Sequence, residues 1–454
     1  MDLKGKKVLV AGFGKTGVAV CRFLLQQDAK VKVSEKKSRD KIDGITEWSK
    51  KGVEFETGGH HQKSFLKAEL IILSPGIPFI PELKKAEEQE IPIFPEIELA
   101  FHFLKGKIVG ITGSNGKSTV ATLTYRILKE AGLRSFLAGN IGIPLISFAE
   151  KSTKDDIYVT ELSSFQLTHI KKFSCDLSLF LNITPDHINW HKGFENYFSA
   201  KKKLIFNQKK DGAAILNRDD KKVWGLRNRG PSRIFGFSRK TRPFPGCCLE
   251  NGYIKFFTKK EEKLMKTSEI PLPGIHIQEN VMASALAGHI LGVPLKKIKE
   301  SIKKFTGLEH RLEIVRKVQG VDFYNDSKAT NIDAALKSIQ SFDRKIILIL
   351  GGRDKGGDFV SLRNDIKKRV KKIILIGEAR EKIRKDLRGI VAEETADTMQ
   401  EAVKLSFASA KKGEIVLLAP ACSSFDMFES FEHRGKVFKK EVDSLQEKLN
   451  REKA

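Results

Sequence analysis

Cysteine is scarce: the 454 residues include five, of which Cys247 and Cys248 are adjacent and none stand in a C-x-x-C spacing. That excludes a disulfide framework and a zinc finger or ribbon as the organising element, and leaves reduced thiols as the default. No run of eighteen or more apolar residues occurs, so no membrane-spanning helix is expected. The stretch Met1 to Gly5 enters a strand pattern without the charged-then-apolar signature of a secretory leader, which predicts a cytoplasmic protein with no membrane partner. Internal repeats and low-complexity segments are missing too, and only Lys448 to Ala454 reads as a frayed helical tail. Acidic residues fall short of basic ones, 56 against 82, giving a formal charge of +26. Such an excess suits a nucleic-acid binder, but the lysines are scattered as doublets and triplets without the aromatic-basic interleaving of RNA readers. The charge therefore reads as a solvated surface whose field favours polyanionic small substrates, with no nucleic-acid partner.

What is present points to an α/β protein of about three domains, each of roughly 150 residues. A Rossmann-like N-terminal domain is expected over residues 1–97, a central mononucleotide-binding, P-loop-like α/β domain over 98–306, and a C-terminal Rossmann-like α/β domain over 307–454. In the first, an apolar strand at Lys7 to Ala11 runs into Gly12-Phe13-Gly14-Lys15-Thr16-Gly17, a helix, and a second strand ending at Glu35. A glycine turn at a helix N-terminus suits a diphosphate, and an acidic residue after the second strand suits a sugar or hydroxylated ring. A plain strand-to-helix turn would share those glycines. The strand Leu70 to Leu73 then delivers Ser74-Pro75-Gly76 to the same sheet edge. The domain boundary is expected between Pro95 and Phe103.

The central segment carries the sharpest signal. Ile108 to Thr112 is an apolar strand, and Gly113-Ser114-Asn115-Gly116-Lys117-Ser118-Thr119 follows it at the head of a helix whose apolar residues repeat at helical spacing as far as Gly132. Small residues let backbone N–H groups close on phosphate oxygens, Lys117 adds a point charge, and the Ser118 or Thr119 hydroxyl suits a magnesium shell. The glycines are closer together than in the usual G-x-x-x-x-G-K loop. Strands are expected at Ile157 to Leu162, Leu177 to Thr184 and Ala213 to Leu216, then an irregular stretch from Gly225 to Gly246 and a hairpin at Asn251-Gly252, so this sheet should be mixed. Glu161 sits at a strand end, where a hard cation needs an oxygen ligand. His187, after Asn182 to Asp186, is a further metal or substrate candidate. The run Tyr197 to Lys203 reads by spacing as a solvated helix face.

From Gly307 onward strands at Val321 to Asn325, Lys345 to Leu350, Lys372 to Ile376 and Glu414 to Leu418 alternate with charged helices as βαβ units. Their ends carry Asn325 to Asn331, Gly351 to Asp358 and Ala419 to Asp426, three polar loops at one sheet edge.

Gly113 to Thr119, Glu161-Leu162-Ser163-Ser164-Phe165-Gln166, Asn182 to His187, His310-Arg311, Asn325 to Asn331 and Asp354-Lys355-Gly356 together resemble the Mur ligases, in order over nearly the whole chain. The Ser-Ser-Phe-Gln, Asp-Ser-Lys-Ala-Thr-Asn and Ala-Cys-Ser-Ser-Phe-Asp runs resemble most the D-glutamate-adding members. The resemblance implies an ATP- and Mg2+-dependent amide ligase that joins D-glutamate to UDP-N-acetylmuramoyl-L-alanine through an acyl phosphate, acting as a monomer in peptidoglycan precursor synthesis. Carried over by matching motif, Lys117, Glu161, His187 and Lys201 would be catalytic. Ser118, Glu161, His187 and Lys201, the last as a CO2-derived carbamate selected by the Tyr-x-x-x-Lys spacing from Tyr197, would surround the metals. The loop residues Gly113, Ser114, Asn115, Gly116, Lys117, Ser118 and Thr119, with Asn280, Arg311 and Asp326, would hold ATP. Thr16, Gly17, Glu35, Ser74, Gly76, Asn140 and His187 would meet the UDP-linked substrate, and Lys328, Thr330, Lys355, Ser424 and Phe431 would form the D-glutamate pocket. Ile277 stands where the family has an amide near the adenine, Asn189 where an acid is frequent, and Glu35 where Asp is common. Another amino acid or a folate as substrate, or an ATPase stimulated by nucleic acid, would use the same phosphate loop. In the ligase, the third domain is expected to close on the second when ATP binds.

Overall fold

The structure is a computed structural model that describes residues 1–78 and 80–451. Its first sheet is parallel, with order β3-β2-β1-β4-β5, from β1 (Lys7–Ala11), β2 (Lys30–Glu35), β3 (Glu54–Thr57), β4 (Leu70–Leu73) and β5 (Ile93–Pro95). β4 is buried along its whole length, as a strand covered on both faces must be, while β2 alternates buried Val31 and Val33 with the more exposed Lys30 and Lys32.

The second sheet has nine strands in the order β14-β13-β12-β11-β10-β9-β6-β8-β7. They are β6 (Lys107–Thr112), β7 (Ser135–Gly139), β8 (Ile157–Glu161), β9 (Leu177–Phe180), β10 (Ala213–Asn217), β11 (Arg233–Ser238), β12 (Gly246–Glu250), β13 (Tyr253–Phe257) and β14 (Glu261–Lys266). It is parallel up to β12 and antiparallel beyond, so the sheet is mixed as expected. Asn251 and Gly252, both at positive φ (52° and 75°), form the two-residue turn that closes β12 on β13. The stretch read as irregular contains β11. Gly236 permits that strand: a Cβ there would lie 2.6 Å from Pro243 and 3.1 Å from Trp224. β9 stops at Phe180, not Thr184, and the freed segment turns over the phosphate loop, where Leu181 N donates to Thr112 O and Ser114 N to Asn182 O at 3.0 Å each.

The third sheet runs β15-β16-β20-β17-β18-β19, from β15 (Glu313–Val318), β16 (Val321–Asn325), β17 (Ile346–Gly351), β18 (Val370–Ile376), β19 (Ala392–Thr395) and β20 (Ile415–Leu418). The four expected strands form its parallel centre, with apolar clusters on both faces. β15, antiparallel to β16, and β19 are polar edge strands that the hydrophobic pattern did not announce.

The chain divides into two compact units: residues 1–267 with 280–302, and residues 268–279 with 303–454. Within the first, the stretch between Pro95 and Phe103 forms the helix Glu96–Phe101, whose Glu96 to Ala100 are all buried. Glu98 accepts hydrogen bonds from the backbone N–H groups of Lys171, Lys172 and Phe173 at 2.8–2.9 Å, and Glu96 from Ile146 N at 2.7 Å, so two buried acids tie the N-terminal sheet to the central one. All five cysteines are buried and free. Among the described residues no helix is long and apolar enough to cross a membrane. The helix Phe431–Arg451 takes in the start of the expected tail, and residues 452–454 lie outside the described residues.

Candidate active site

The phosphate loop spans residues 113–116 between β6 and the helix Lys117–Glu130. Gly113 (φ 155°) and Gly116 (φ 86°) adopt backbone conformations that side chains disfavour. A Cβ on Gly116 would also strike Asn280 Oδ1 at 2.4 Å, so the glycine lets Asn280 pack directly on the loop. Asn182 braces the loop from outside: its Oδ1 accepts from Asn115 N at 2.8 Å and its Nδ2 donates to Asn115 O at 3.0 Å. Ser114 Oγ donates to Thr184 O at 2.8 Å and lies 2.9 Å from the Tyr197 hydroxyl. Lys117 folds back, its Nζ donating to Gly113 O and Ser114 O at 2.9 and 2.8 Å. Ser118 and Thr119 are buried in the first helical turn.

Lys201 does not belong to a solvated face, as the lysine run had suggested. It is 1% exposed, and its Nζ donates to Gly113 O at 2.9 Å and Thr112 Oγ1 at 3.2 Å, at the base of the loop. Burial pushes its pKa well below the ordinary lysine value and the Lys117 charge adds to this, while Asp186 and Glu161 oppose it. Across the loop, Glu161 is 2% exposed; its Oε1 accepts from Asn140 Nδ2 at 2.8 Å, and its Oε2 is buried with no hydrogen-bond partner. A buried carboxylate oxygen without a donor is costly unless a cation meets it, so this residue fits a divalent metal at the phosphate loop.

His187 heads the short helix Ile188–His191 in the left-handed region (φ 53°) and packs on Phe165 at 4.8 Å between ring centroids. Its neighbour His191 is the buried one: its Nε2 lies 2.9 Å from Ser164 Oγ, and burial, with the His187 and Lys201 charges, lowers its pKa to about 4.

At the N-terminal sheet, Thr16 and Gly17 open the helix Lys15–Gln26 after Gly12 (φ 88°). A Cβ on Gly17 would sit 2.1 Å from Gly12 O, which explains the glycine: helix and turn are in backbone contact. Glu35 closes the turn, its Oε2 accepting from Phe13 N at 2.7 Å, and Ser74 Oγ donates to Gly12 O at 2.9 Å. Gly76 follows at φ 94°. Lys15 Nζ donates to Gly142 O and Asn140 N to Glu161 O, so the loop of residues 140–142 joins this edge to Glu161. A narrow cleft is lined by Ser74 to Ile77 on one side and Phe165, Gln166 and Trp190 on the other.

The second unit collects the rest. Asp326 is buried, hydrogen-bonded by Ser338 Oγ, and burial raises its pKa to about 6 against the opposing Ser338 bond and Arg311 charge. Lys328 lies in the loop after β16 with its Nζ 3.5 Å from the Phe431 ring centroid, a cation over an aromatic face. Thr330 N donates to Lys328 O at 2.8 Å, and Asn331 caps the helix Ile332–Gln340. Ser424 is buried in the loop after β20, and Lys355 is exposed in the loop after β17. The two loops pair through Arg353 N to Ser423 O (2.9 Å) and the reverse bond (3.0 Å). Among the described residues, Glu309, His310 and Glu313 alone have metal-ligand spacing, and Lys439 Nζ already bridges both carboxylates at 3.0 and 2.6 Å.

Two contributors escaped the sequence reading. Tyr197, 1% exposed, joins Ser114 to the Lys201 helix; it served only as a spacing marker. Arg434 is 1% exposed among the C-terminal loops and looked like one of many surface cations. Its place beside the apolar series Phe431, Phe438 and Val442 is the signal that could have found it.

Three family models cover the chain in order: the Mur ligase MurD-like N-terminal domain over residues 6–95, the Mur ligase middle domain over 111–288, and the glutamate ligase domain of Mur ligases over 310–422. A relative named UDP-N-acetylmuramoylalanine--D-glutamate ligase in Koribacter versatilis is 42% identical over 98% of this chain and 99% of its own length. One of the same name in Acidobacterium capsulatum is 45% identical over 97% and 96%. Among solved structures, a pseudomurein peptide ligase type C from Methanothermus fervidus superposes with a TM-score of 0.63 at 18% identity, covering 97% of this chain and all of the other. The MurF ligase of Thermotoga maritima in complex with ADP gives 0.60 at 17% identity, covering 98% and 96%. These distant structures share the fold, and the full-length relatives and the three domain models together establish that the chain belongs to the Mur ligase family.

Proposed function

We propose that the chain catalyses the ATP-dependent joining of D-glutamate to UDP-N-acetylmuramoyl-L-alanine, a step of peptidoglycan precursor synthesis, as a cytoplasmic monomer with no nucleic-acid partner. The observation that carries the chemistry is the pair of buried reactive groups flanking the phosphate loop: Glu161 with one bare oxygen and Lys201 with its amine on Gly113 O. The names borne by relatives 42–45% identical over nearly their whole length support the choice of substrates.

In this reading the backbone N–H groups of the loop and the head of the helix Lys117–Glu130 receive the ATP phosphates, and the Lys117 amine leaves its two carbonyls for the γ-phosphate. Magnesium, held by Ser118 and Glu161, with His187 and carboxylated Lys201 beside a second ion, would neutralise charge on the transferring phosphoryl group. Burial lowers the pKa of Lys201 and so favours the uncharged amine that adds CO2; the carbamate formed, with loss of a proton, would offer oxygen to a metal. Thr16, Gly17, Glu35, Ser74 and Gly76 hold the UDP end, and Asn140 and His187 the muramoyl-alanine end. Its terminal carboxylate takes the γ-phosphoryl group, leaving ADP. The amine of D-glutamate, held through its two carboxylates by Lys328, Thr330, Lys355 and Ser424 in a pocket that Phe431 completes, then attacks the acyl carbon; the C–N bond forms, the amine's proton is released and phosphate departs. Asn280, Arg311 and Asp326 serve the nucleotide.

The test is phosphate release by the purified protein. Release should require ATP, UDP-N-acetylmuramoyl-L-alanine and D-glutamate together, and L-lysine or a diamino acid in place of D-glutamate should abolish it. A rate no higher than the glutamate-free control defeats the proposal, and a rate that needs polynucleotide and ignores the nucleotide sugar replaces it with an ATPase.

A further inference from the structure

A guanidinium that is 1% exposed must place its donors well, because its charge has been taken out of water. Arg434, one turn into the helix Phe431–Arg451, makes three hydrogen bonds to backbone carbonyls and one to a serine hydroxyl. Its Nε donates to Ser327 Oγ at 2.9 Å, one Nη to Ser327 O at 2.8 Å and Cys422 O at 3.1 Å, and the other to Ser423 O at 3.3 Å. None of these acceptors is a carboxylate; Asp426 acts on the group only through its field, with the neighbouring Cys422 thiol, and burial lowers the pKa to about 10. Ser327 belongs to the loop after β16, and Cys422 and Ser423 to the loop after β20. The loop after β17 also reaches it, since a Cβ on Gly352 would come 3.2 Å from the guanidinium. Ser327 passes the constraint on: its Oγ donates to Phe431 O at 2.8 Å, and Phe431 carries the Lys328 amine on its ring.

We infer that Arg434 is a positioning residue for the amino-acid pocket, one planar fork that sets the mutual spacing of the two strand-end loops bearing Lys328 and Ser424, with Gly352 of the loop bearing Lys355 close against it. The inference rests on the reading of those residues as the D-glutamate pocket. A fork fits because the acceptors belong to two separate loops and a planar group with five fixed donors holds their spacing, whereas a lysine ammonium would satisfy one loop and leave carbonyls of the other unpaired.

The experiment uses the full chain with Arg434→Lys and Arg434→Ala, measuring KM separately for D-glutamate, ATP and the UDP-linked substrate, with hydrogen exchange of residues 326–331 and 419–426. The Lys variant should fold and raise KM for D-glutamate by about tenfold or more, with KM for ATP within about twofold of wild type. Both loops should exchange faster, and guanidinium chloride at about 20 mM, well below denaturing levels, should bring the Ala variant back toward the wild-type KM by refilling the vacated site. Wild-type KM for D-glutamate in the Lys variant, or an equal rise of all three KM values, overturns the inference. If wild type itself does not use D-glutamate, the functional reading falls, and unchanged exchange of the two loops in the Lys variant would still refute the positioning role. Should the Ala variant fail to fold, the Lys variant and its exchange pattern decide.

Discussion

Glu96 offers a sharp physical test of how the first unit is held together. Its carboxyl opens a buried helix and accepts the Ile146 N–H at 2.7 Å, beside the loop that carries Asn140 and Gly142. Burial raises its pKa from 4.5 to about 7, against hydrogen bonds from Ile146 and Leu145 that pull the other way. A tenfold change in a proton-binding constant is worth about 1.4 kcal/mol, so ionising this group in the fold costs about 3 kcal/mol relative to ionising it in the unfolded chain. The sign follows from proton counting. Between pH 4.5 and 7 the folded state keeps a proton that the unfolded state has released, so stability falls as pH rises through that window and levels above it. Glu96→Gln keeps the shape and the acceptor for Ile146 and removes the titration. Urea unfolding of both proteins, followed by tryptophan fluorescence at half-unit steps from about pH 4.5 to 8.5, isolates this contribution. The variant should gain about 3 kcal/mol on wild type across the window, most of it between about pH 5 and 7. A stability difference that stays flat with pH, or grows toward acid, would refute the account of Glu96 as a protonated clamp.

Other outcomes follow from the same geometry. Glu161→Gln puts an amide where the bare oxygen stands, and should cut kcat by about 10³-fold or more while raising the magnesium concentration for half-maximal rate; near-normal magnesium titration would remove Glu161 from the metal shell. Lys201→Arg keeps a cation but cannot form the carbamate, so turnover should fall by at least about 100-fold, and the 13C carbamate signal expected in wild type with labelled bicarbonate should vanish. Gly17→Ala forces a Cβ to within 2.1 Å of Gly12 O, backbone against backbone, and should cost about 2–4 kcal/mol of stability together with affinity for the UDP-linked substrate; an unchanged melting temperature would contradict the close helix–turn contact.

What the sequence revealed, and what it hid, divides along the range of the interactions. Gly113 to Thr119 was readable because strand, loop and helix are contiguous, and the alternation of strands and helices named the three sheets. β11 escaped because its glycine and the prolines and arginines around it look like loop chemistry, and it is a strand only because Trp224 and Pro243 pack where Gly236 has no side chain. β15 and β19 escaped because edge strands have few apolar residues to report them. Lys201 looked like its neighbours Lys202 and Lys203; only Thr112, Gly113 and Tyr197, distant in sequence or silent in pattern, bury it. Arg434 was hidden in the same way, since Ser327 lies 107 residues upstream and the carbonyls of Cys422 and Ser423 have no sequence signature.

The excursion of residues 268–279 has a consequence for autonomy. The chain passes from one unit to the other after Thr267, returns after Glu279 and passes again after Ile302. Gly274 lies so close to Ser341 that a Cβ there would come within 2.5 Å of the hydroxyl, and His276 sits 3.5 Å from the same oxygen, so this short strip is a packed part of the C-terminal body. A polypeptide beginning at Lys303 would lack a piece of its own wall, and ribosomal synthesis makes that piece well before the body it completes. The two units therefore cannot be separated by a single cut.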